Sequence, residues 1–118
     1  MANSTIMDIE KYFRPDQWHT SETYQSRLTD NSIKWTKVGN VVFVSGRAKT
    51  ALAFTAGGAM ATGFPTPAFN TSVPLSGCAS NGTANAPMSI NASGSLCTIG
   101  ALSNNTYYAV AGVYFTGQ

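Results

Sequence analysis

Few side chains in this chain could act as a general acid, a general base or a metal ligand. Every Asp, Glu, Lys, Arg and His lies between Asp8 and Lys49, and the five carboxylates end at Asp30. From Thr50 to Gln118 the chain has no ionisable side chain other than Cys and Tyr. Acid–base catalysis requires a positioned group that can exchange a proton. The later half of the chain therefore offers very little chemistry of this kind.

The ionisable residues suggest three reactive arrangements, and each has a weakness. His19 and Asp30 could join a serine in a catalytic triad, but no nucleophile-elbow sequence surrounds any serine. A glycosidase pair could be drawn from Glu10, Asp16, Glu22 and Asp30, but this short irregular segment would have to form the cleft alone. One histidine and two separated cysteines make no ligand cluster. We therefore expect no enzymatic activity, no metal site and no cofactor.

Asparagine and aromatic side chains suggest recognition of a neutral saccharide instead. Amide groups can hydrogen-bond to sugar hydroxyls while an aromatic face covers the apolar C–H surface. The alternative is that these asparagines serve the turns in which they stand, and it remains open for each of them. We expect Trp35 to belong to the core. The candidate binding residues are Trp18, His19, Tyr24, Asn81, Asn85, Asn104 and Asn105.

Basic residues offer a further alternative. Lys34, Lys37, Arg47 and Lys49 stand close together in the sequence and could contact an acidic glycan or a phosphate polymer. Such residues also occur as solvated strand edges that discourage unwanted pairing. The formal net charge of +2 is too small to indicate nucleic acid or an anionic membrane surface as a partner.

The chain shows no sign of membrane insertion or of secretion. No stretch approaches the ~20 apolar residues that cross a bilayer. The first residues lack a basic region followed by an apolar one, so we expect no signal peptide. Cys78 and Cys97 could form a disulfide between neighbouring strands or remain as buried free thiols that act as small apolar residues, and the absence of a secretion signal favours free thiols.

The composition divides the chain into an N-terminal segment and a β domain. Residues 1–31 are predicted to form a connector or attachment segment, with a short helix at Ile6–Phe13 that ends before Pro15. Residues 32–118 contain the strand signals and fit one domain.

A β-hairpin is the clearest element. The runs Ile33–Val38 and Val41–Lys49 flank Gly39-Asn40, a two-residue turn signal. This turn predicts that Val38 faces Val41, Trp35 faces Val44 and Ile33 faces Gly46, which would make room for the Trp35 indole. One face would then carry Ile33, Trp35, Val42, Val44 and Ala48.

Short strands continue to the end of the chain. We predict a loose strand at 59–62, an edge strand at 71–79 because Pro74 cannot donate to a ladder, and a hairpin of 88–91 with 95–100. The last strand, 107–116, is apolar on both sides and should be buried on both faces. The pattern indicates an all-β antiparallel fold, a β-sandwich or a jelly-roll-like arrangement.

The hairpin sequence Trp35-Thr36-Lys37-Val38-Gly39-Asn40-Val41-Val42-Phe43-Val44-Ser45-Gly46 resembles a hairpin of the C-terminal head domains of phage tail-fibre and baseplate receptor-binding proteins. The family's later segments have counterparts in Gly63-Phe64-Pro65-Thr66-Pro67, Ile90-Asn91-Ala92-Ser93-Gly94 and the tyrosine-rich run that begins at Tyr107. The chain departs from the family at Ala61-Thr62, where Leu-Pro is usual, and it has no coiled-coil or collagen-like stem in residues 1–31.

The resemblance implies a homotrimer of heads that bind a saccharide or another receptor on the host cell surface, without catalysis. It also implies assembly in the host cytoplasm, a place at the virion tail tip, and attachment to other tail or baseplate proteins through residues 1–31. The alternative is a purely structural virion protein, a baseplate or decoration component that binds only other viral proteins.

Overall fold

The computed structural model describes residues 17–117, and nearly all of its regular structure is antiparallel β. The predicted all-β fold is therefore confirmed. A short 3-10 helix at Ala68–Asn70 interrupts the strands. The strands are β1 (His19–Thr20), β2 (Glu22–Thr23), β3 (Leu28–Asn31), β4 (Lys34–Val38), β5 (Val41–Thr50), β6 (Ala59–Thr62), β7 (Val73–Ala79), β8 (Met88–Ile90), β9 (Leu96–Thr98) and β10 (Tyr107–Phe115).

The predicted helix at Ile6–Phe13 lies outside the described residues. Within the predicted connector, residues 19–31 form β1, β2 and β3, which pair with β4, β6 and β5 respectively. The predicted division of the chain into a connector, residues 1–31, and a β domain, residues 32–118, stays a prediction.

The strands form two sheets that share their edges. The first sheet has the order β1-β4-β5-β10-β7, with β3 beside β5, and the second has the order β7-β8-β9-β6-β2. The strand β7 belongs to both sheets. At the opposite edge only Ser21 separates β1 in the first sheet from β2 in the second. Asn31 holds this corner, because its Nδ2 donates to the Ser21 carbonyl oxygen at 3.0 Å. The sheet is thus a nearly closed ring.

The β4–β5 hairpin has the predicted register. Val38 pairs with Val41 and Trp35 pairs with Val44. Gly39 adopts a φ of 57°, which suits glycine in a two-residue turn. Val42, Val44 and Ala48 are buried on the inner side together with Ile33, and Trp35 packs against them. A turn of fixed length sets the register, and the register sends these side chains into the core.

Gly46 has a different role from the predicted one. The atoms nearest to a Cβ at this position would be the Ser32 carbonyl oxygen and the Ile33 Cα. The Trp35 indole is not among the three nearest atoms. The backbone of Ser32 and Ile33, between β3 and β4, therefore passes close to Gly46. Its φ of 142° is also one that L side chains rarely adopt.

The prediction that β7 is an edge strand is wrong. Its first half pairs with β8, where Pro74 lies opposite Ser89, and its second half pairs with β10. Pro74 lies in the first half, which does not pair with β10. The missing amide proton of the proline is therefore not needed for a hydrogen bond to β10. Each half of β7 pairs with one strand only, so Pro74 stands at a local edge although β7 as a whole lies between β8 and β10.

The last strand is buried on one face only within this chain. Tyr108, Val110 and Tyr114 of β10 point into the core, whereas Val113 and Phe115 are 55% and 65% exposed. The predicted burial of both faces is therefore wrong for the single chain. The core lies between the two sheets and includes the fully buried Ile33, Met60, Met88, Ile90 and Leu96.

Candidate functional site

Several loops meet at one end of the first sheet. The register places the start of β3, the end of β5, the start of β10 and the end of β7 side by side. The loops that join these strand ends are residues 24–27, the residues after Thr50, residues 103–106 and residues 80–85. We call this region the loop end. A rigid sheet that presents several loops together is a common way to build a binding surface.

The four predicted asparagines lie together at the loop end. Asn81 and Asn85 belong to the loop after β7, and Asn104 and Asn105 belong to the turn before β10. The two loops are neighbours, because the Ser80 amide donates to the Tyr107 carbonyl at 3.0 Å. All four asparagines are exposed.

Two of these asparagines also have a clear role in their turns. The Asn81 Oδ1 accepts hydrogen bonds from the Thr83 amide at 3.1 Å and from the Thr83 hydroxyl at 2.7 Å. Asn105 has a φ of 56°, which asparagine tolerates better than most residues. The turn interpretation therefore accounts for the Asn81 oxygen and the Asn105 backbone. The amide NH2 group of Asn81 remains the group that could donate to a ligand.

Tyr24 lies on the other side of the loop end. It precedes β3, and β5 and β10 separate β3 from β7 in the sheet. With a strand spacing of about 4.8 Å, the two sides are about 14 Å apart. The Arg27 guanidinium lies over the Tyr24 ring at 4.9 Å from its centroid.

Trp18 and His19 do not join the loop end. His19 pairs with Trp35 in β4, and Trp35 pairs with Val44, which is about 20 Å along β5 from Thr50. The His19 ring stacks on the Trp35 ring with centroids 4.3 Å apart. Trp18 is 48% exposed and lies beside Lys34 and Ser45. The structure therefore divides the predicted site residues between two regions.

Tyr107 forms the centre of a cluster that the sequence did not reveal. Its hydroxyl donates to the Asp30 Oδ2 at 2.8 Å. The Arg47 guanidinium lies 4.4 Å from the ring centroid and the Lys49 ammonium 5.6 Å, both in cation–π geometry. The hydrogen bond to Asp30, helped by desolvation, raises the pKa of the Tyr107 phenol, which stays a neutral donor at physiological pH. The cluster joins three strands, so no local sequence pattern could indicate it.

The predicted group of basic residues is split by the hairpin register. Arg47 and Lys49 lie on the solvent side of the first sheet beside Tyr107. Lys37 pairs with Val42, whose side chain faces the core. Paired residues share a side of the sheet, so Lys37 projects from the side opposite to Arg47 and Lys49. Lys34 pairs with Ser45 and so lies on the same side as Arg47 and Lys49. Of the four predicted basic residues, Lys37 is therefore the one that the register separates from the others.

The solvent side of the first sheet changes in character along its length. We call this side the outer face, as formed by β5 and β10. Near the hairpin turn it exposes Phe43 beside Val113, with Phe115 beyond them. Small side chains follow in the middle, and the Tyr107 cluster lies at the loop end. From the turn to the loop end, the outer face carries Val41, Phe43, Ser45, Arg47 and Lys49 on β5 and Phe115, Val113, Ala111, Ala109 and Tyr107 on β10.

The reactive groups are few where the structure describes the chain. Glu22 and Asp30 are exposed, and Glu10 and Asp16 lie outside the described residues. Residues 17–117 contain no group of three His, Cys, Asp or Glu side chains that could hold a metal ion. No helix within the same range is long and apolar enough to span a bilayer. Cys78 and Cys97 are free thiols.

The arrangement is suited to binding. The loop end offers amide groups, backbone groups and the aromatic and cationic groups of the Tyr107 cluster, whereas the other end of the outer face offers apolar surface. No family model matches the chain, and no curated protein matches it significantly.

Proposed function

We propose that this chain is a receptor-binding head of the phage tail-fibre or baseplate type, which binds a cell-surface saccharide through its loop end without catalysis. One observation carries the proposal. Four exposed asparagines stand in two neighbouring loops that contain no ionisable side chain, and the Tyr107–Arg47 pair lies beside them on β10 and β5 at the same end of the sheet. Amides and aromatic rings recognise neutral hydroxyl-rich ligands without the desolvation cost of a buried charge.

The outer face supports the homotrimeric part of the proposal. Phe43, Val113 and Phe115 are exposed side by side on two paired strands. Contiguous apolar patches on a soluble protein commonly mark an interface. Contacts between copies through the apolar end of this face would leave the loop ends open to a receptor. The homotrimer, the virion tail tip and attachment through residues 1–31 follow from the resemblance of the hairpin sequence and are parts of this proposal.

A glycan array and fragments of host cell wall test the saccharide proposal. We expect the protein to bind a restricted set of saccharides, and Asn104→Ala and Tyr107→Ala to weaken that binding at least tenfold. Asn40→Ala is the matched control, because Asn40 is an exposed asparagine in the turn at the opposite end of β5. Equal loss in the control, or binding that survives both loop-end changes, would place recognition elsewhere on the protein.

A structural virion protein is the second candidate, and the same exposed apolar patch favours it. Such a protein would use Phe43, Val113 and Phe115 to bind other viral proteins and would have no need of a saccharide. Absence of binding across broad glycan panels and cell-wall fragments, together with capture by purified tail components, would favour this role.

A further inference from the structure

Phe69 is a projecting side chain without a visible role in the fold. It is 94% exposed, the most exposed large apolar side chain among residues 17–117. Its φ of 66° and ψ of 20° lie in the left-handed region, which is uncommon for a bulky residue. Strained and exposed residues of this kind often serve binding.

The backbone that precedes Phe69 is anchored to the end of the chain. Pro67 forms an antiparallel bridge with Thr116, and the Thr116 hydroxyl donates to the Thr66 carbonyl at 2.6 Å. Phe69 therefore projects beside Val113 and Phe115 at the apolar end of the outer face. We call Phe69 the knob.

An apolar groove lies further along the outer face, between β7 and β10 and beside β5. Its volume is about 450 Å³, and about 150 Å³ is enough to hold a benzene molecule. The groove exists because small side chains stand between two bulky groups, Phe43 with Val113 on one side and Arg47 with Tyr107 on the other. It is lined by Ser45, Ser76, Gly77, Cys78, Ala109, Val110 and Ala111.

The knob cannot occupy the groove of its own chain. Val113 and Phe115, next to the knob, are about 10 Å along β10 from the centre of the groove. The knob and the residues that line the groove carry no charge, and Arg47 stands beyond them at one end. An inserted phenyl ring would therefore contact uncharged groups in the groove. The exposed apolar area of Phe43, Phe69, Val113 and Phe115 is on the order of 450 Å². This is more than half of the roughly 800 Å² per partner that a standard interface buries.

We propose that Phe69 of one copy inserts into the groove of the next copy. In the proposed trimer the knob of each copy enters the groove of the next copy, so each copy uses both surfaces and the contact runs head to tail. Such contacts form a closed ring when the rotation between copies closes. This inference rests on the proposed homotrimer and names the surfaces that would join its subunits.

Complementation between two variants tests the insertion. Phe69→Ser removes the knob and keeps the groove, whereas Ala111→Trp fills the groove and keeps the knob. By light scattering and native mass spectrometry we expect the wild type to be a trimer and each variant alone to be a monomer. An equimolar mixture should give a one-to-one dimer, because only one of its two contacts can form. Ile99→Ser is the matched control, since Ile99 is 51% exposed and lies outside the knob and the groove; it should remain trimeric.

Three results would overturn the insertion. One is a trimer that survives Phe69→Ser, and another is a mixture of the two folded variants that stays monomeric. The third is a wild type that is monomeric at about 10 µM, which would also remove the proposed trimer. Ser76→Trp fills the same groove and replaces Ala111→Trp if circular dichroism shows that the latter does not fold. Failure of the wild-type trimer to bind any saccharide would contradict the proposed function and leave the insertion intact.

Discussion

Two tyrosines of β10 place their hydroxyl groups in opposite surroundings. Tyr114 is buried and donates to the Pro65 carbonyl at 2.8 Å. Tyr107 donates to Asp30 on the outer face, where water can replace either partner. A buried acceptor that loses its donor has no substitute, and this costs about 1–3 kcal/mol.

Tyr114→Phe should therefore lower the free energy of unfolding by about 1–2 kcal/mol, because it leaves the buried Pro65 carbonyl without a donor. Urea denaturation at neutral pH measures the change. Tyr107→Phe is the control with the same chemical alteration on the same strand, and it should change stability little. A large effect in both variants would show that the hydroxyl group matters for some reason other than burial.

The same burial predicts how stability depends on alkaline pH. Desolvation raises the pKa of Tyr114 well above the ordinary value of 10.0. The unfolded chain then releases this proton at a pH where the folded chain still holds it. Below about pH 10 the free energy of unfolding should not depend on Tyr114, and above it stability should fall by up to about 1.4 kcal/mol per pH unit. Tyr114→Phe should reduce this slope in denaturation curves measured between about pH 9.5 and 11.5. An unchanged slope would contradict the assignment.

Residue-level prediction from the sequence succeeded where a residue's role depends on its near neighbours. The exposed turn positions of the asparagines were predicted because turns favour asparagine and lie at the surface. That these asparagines bind a saccharide stays a prediction. Trp35 was recognised as a core residue because the turn fixes its side of the hairpin. The Tyr107 cluster was missed because Asp30 and Tyr107 are 77 positions apart. Their contact depends on β5 lying between β3 and β10, which no local pattern specifies.

At the scale of the elements, Gly46 marks where β5 meets the break between β3 and β4. An added Cβ would collide with the Ser32 carbonyl oxygen, and the φ of 142° disfavours any side chain. Gly46→Ala should therefore destabilise the protein by at least about 2 kcal/mol. Chemical denaturation with a two-state fit measures this.

Gly57→Ala separates conformational strain from crowding in that experiment. Gly57 has a φ of 83° with nothing within 4 Å of an added Cβ. It should cost only about 1 kcal/mol, the ordinary penalty of a left-handed residue. If Gly46→Ala were no worse than Gly57→Ala, the close approach of Ser32 would carry no energetic weight.

The elements that sequence reasoning predicted well are hairpins with short turns. The β4–β5 register and the β8–β9 pairing follow from local turn signals and alternating apolar residues. The polar strands β1, β2 and β3 carry little apolar pattern, and they form strands because neighbouring strands offer them hydrogen bonds. The role of β7 was misjudged because changing from one sheet to another is a long-range event.

For the whole molecule, the nearly closed ring of strands leaves the outer face, and not a strand edge, as the exposed apolar surface of the first sheet. The strand β7 continues from the first sheet into the second, and only Ser21 separates β1 from β2 at the opposite edge, so few strand edges are free. Ring closure does not bury the outer face, where Phe43, Val113 and Phe115 stay exposed. Any self-association through this face therefore depends on side chains and not on strand addition at an edge.

Cys78 can report whether another copy covers the outer face in solution. Cys78 lines the groove, whereas Cys97 is partly buried in β9 and burial raises the pKa of its thiol. In Cys97→Ser, Cys78 is the one remaining thiol, and its reaction with iodoacetamide should slow as protein concentration rises from about 0.1 to 100 µM, because association covers the groove. In Cys78→Ser, Cys97 should react slowly at every concentration. Phe69→Ser added to Cys97→Ser should remove the concentration dependence, because the copy beside it then has no knob to cover the thiol. A Cys78 rate that is constant across this range, in a protein that light scattering shows to be trimeric, would mean that the subunits meet through another surface.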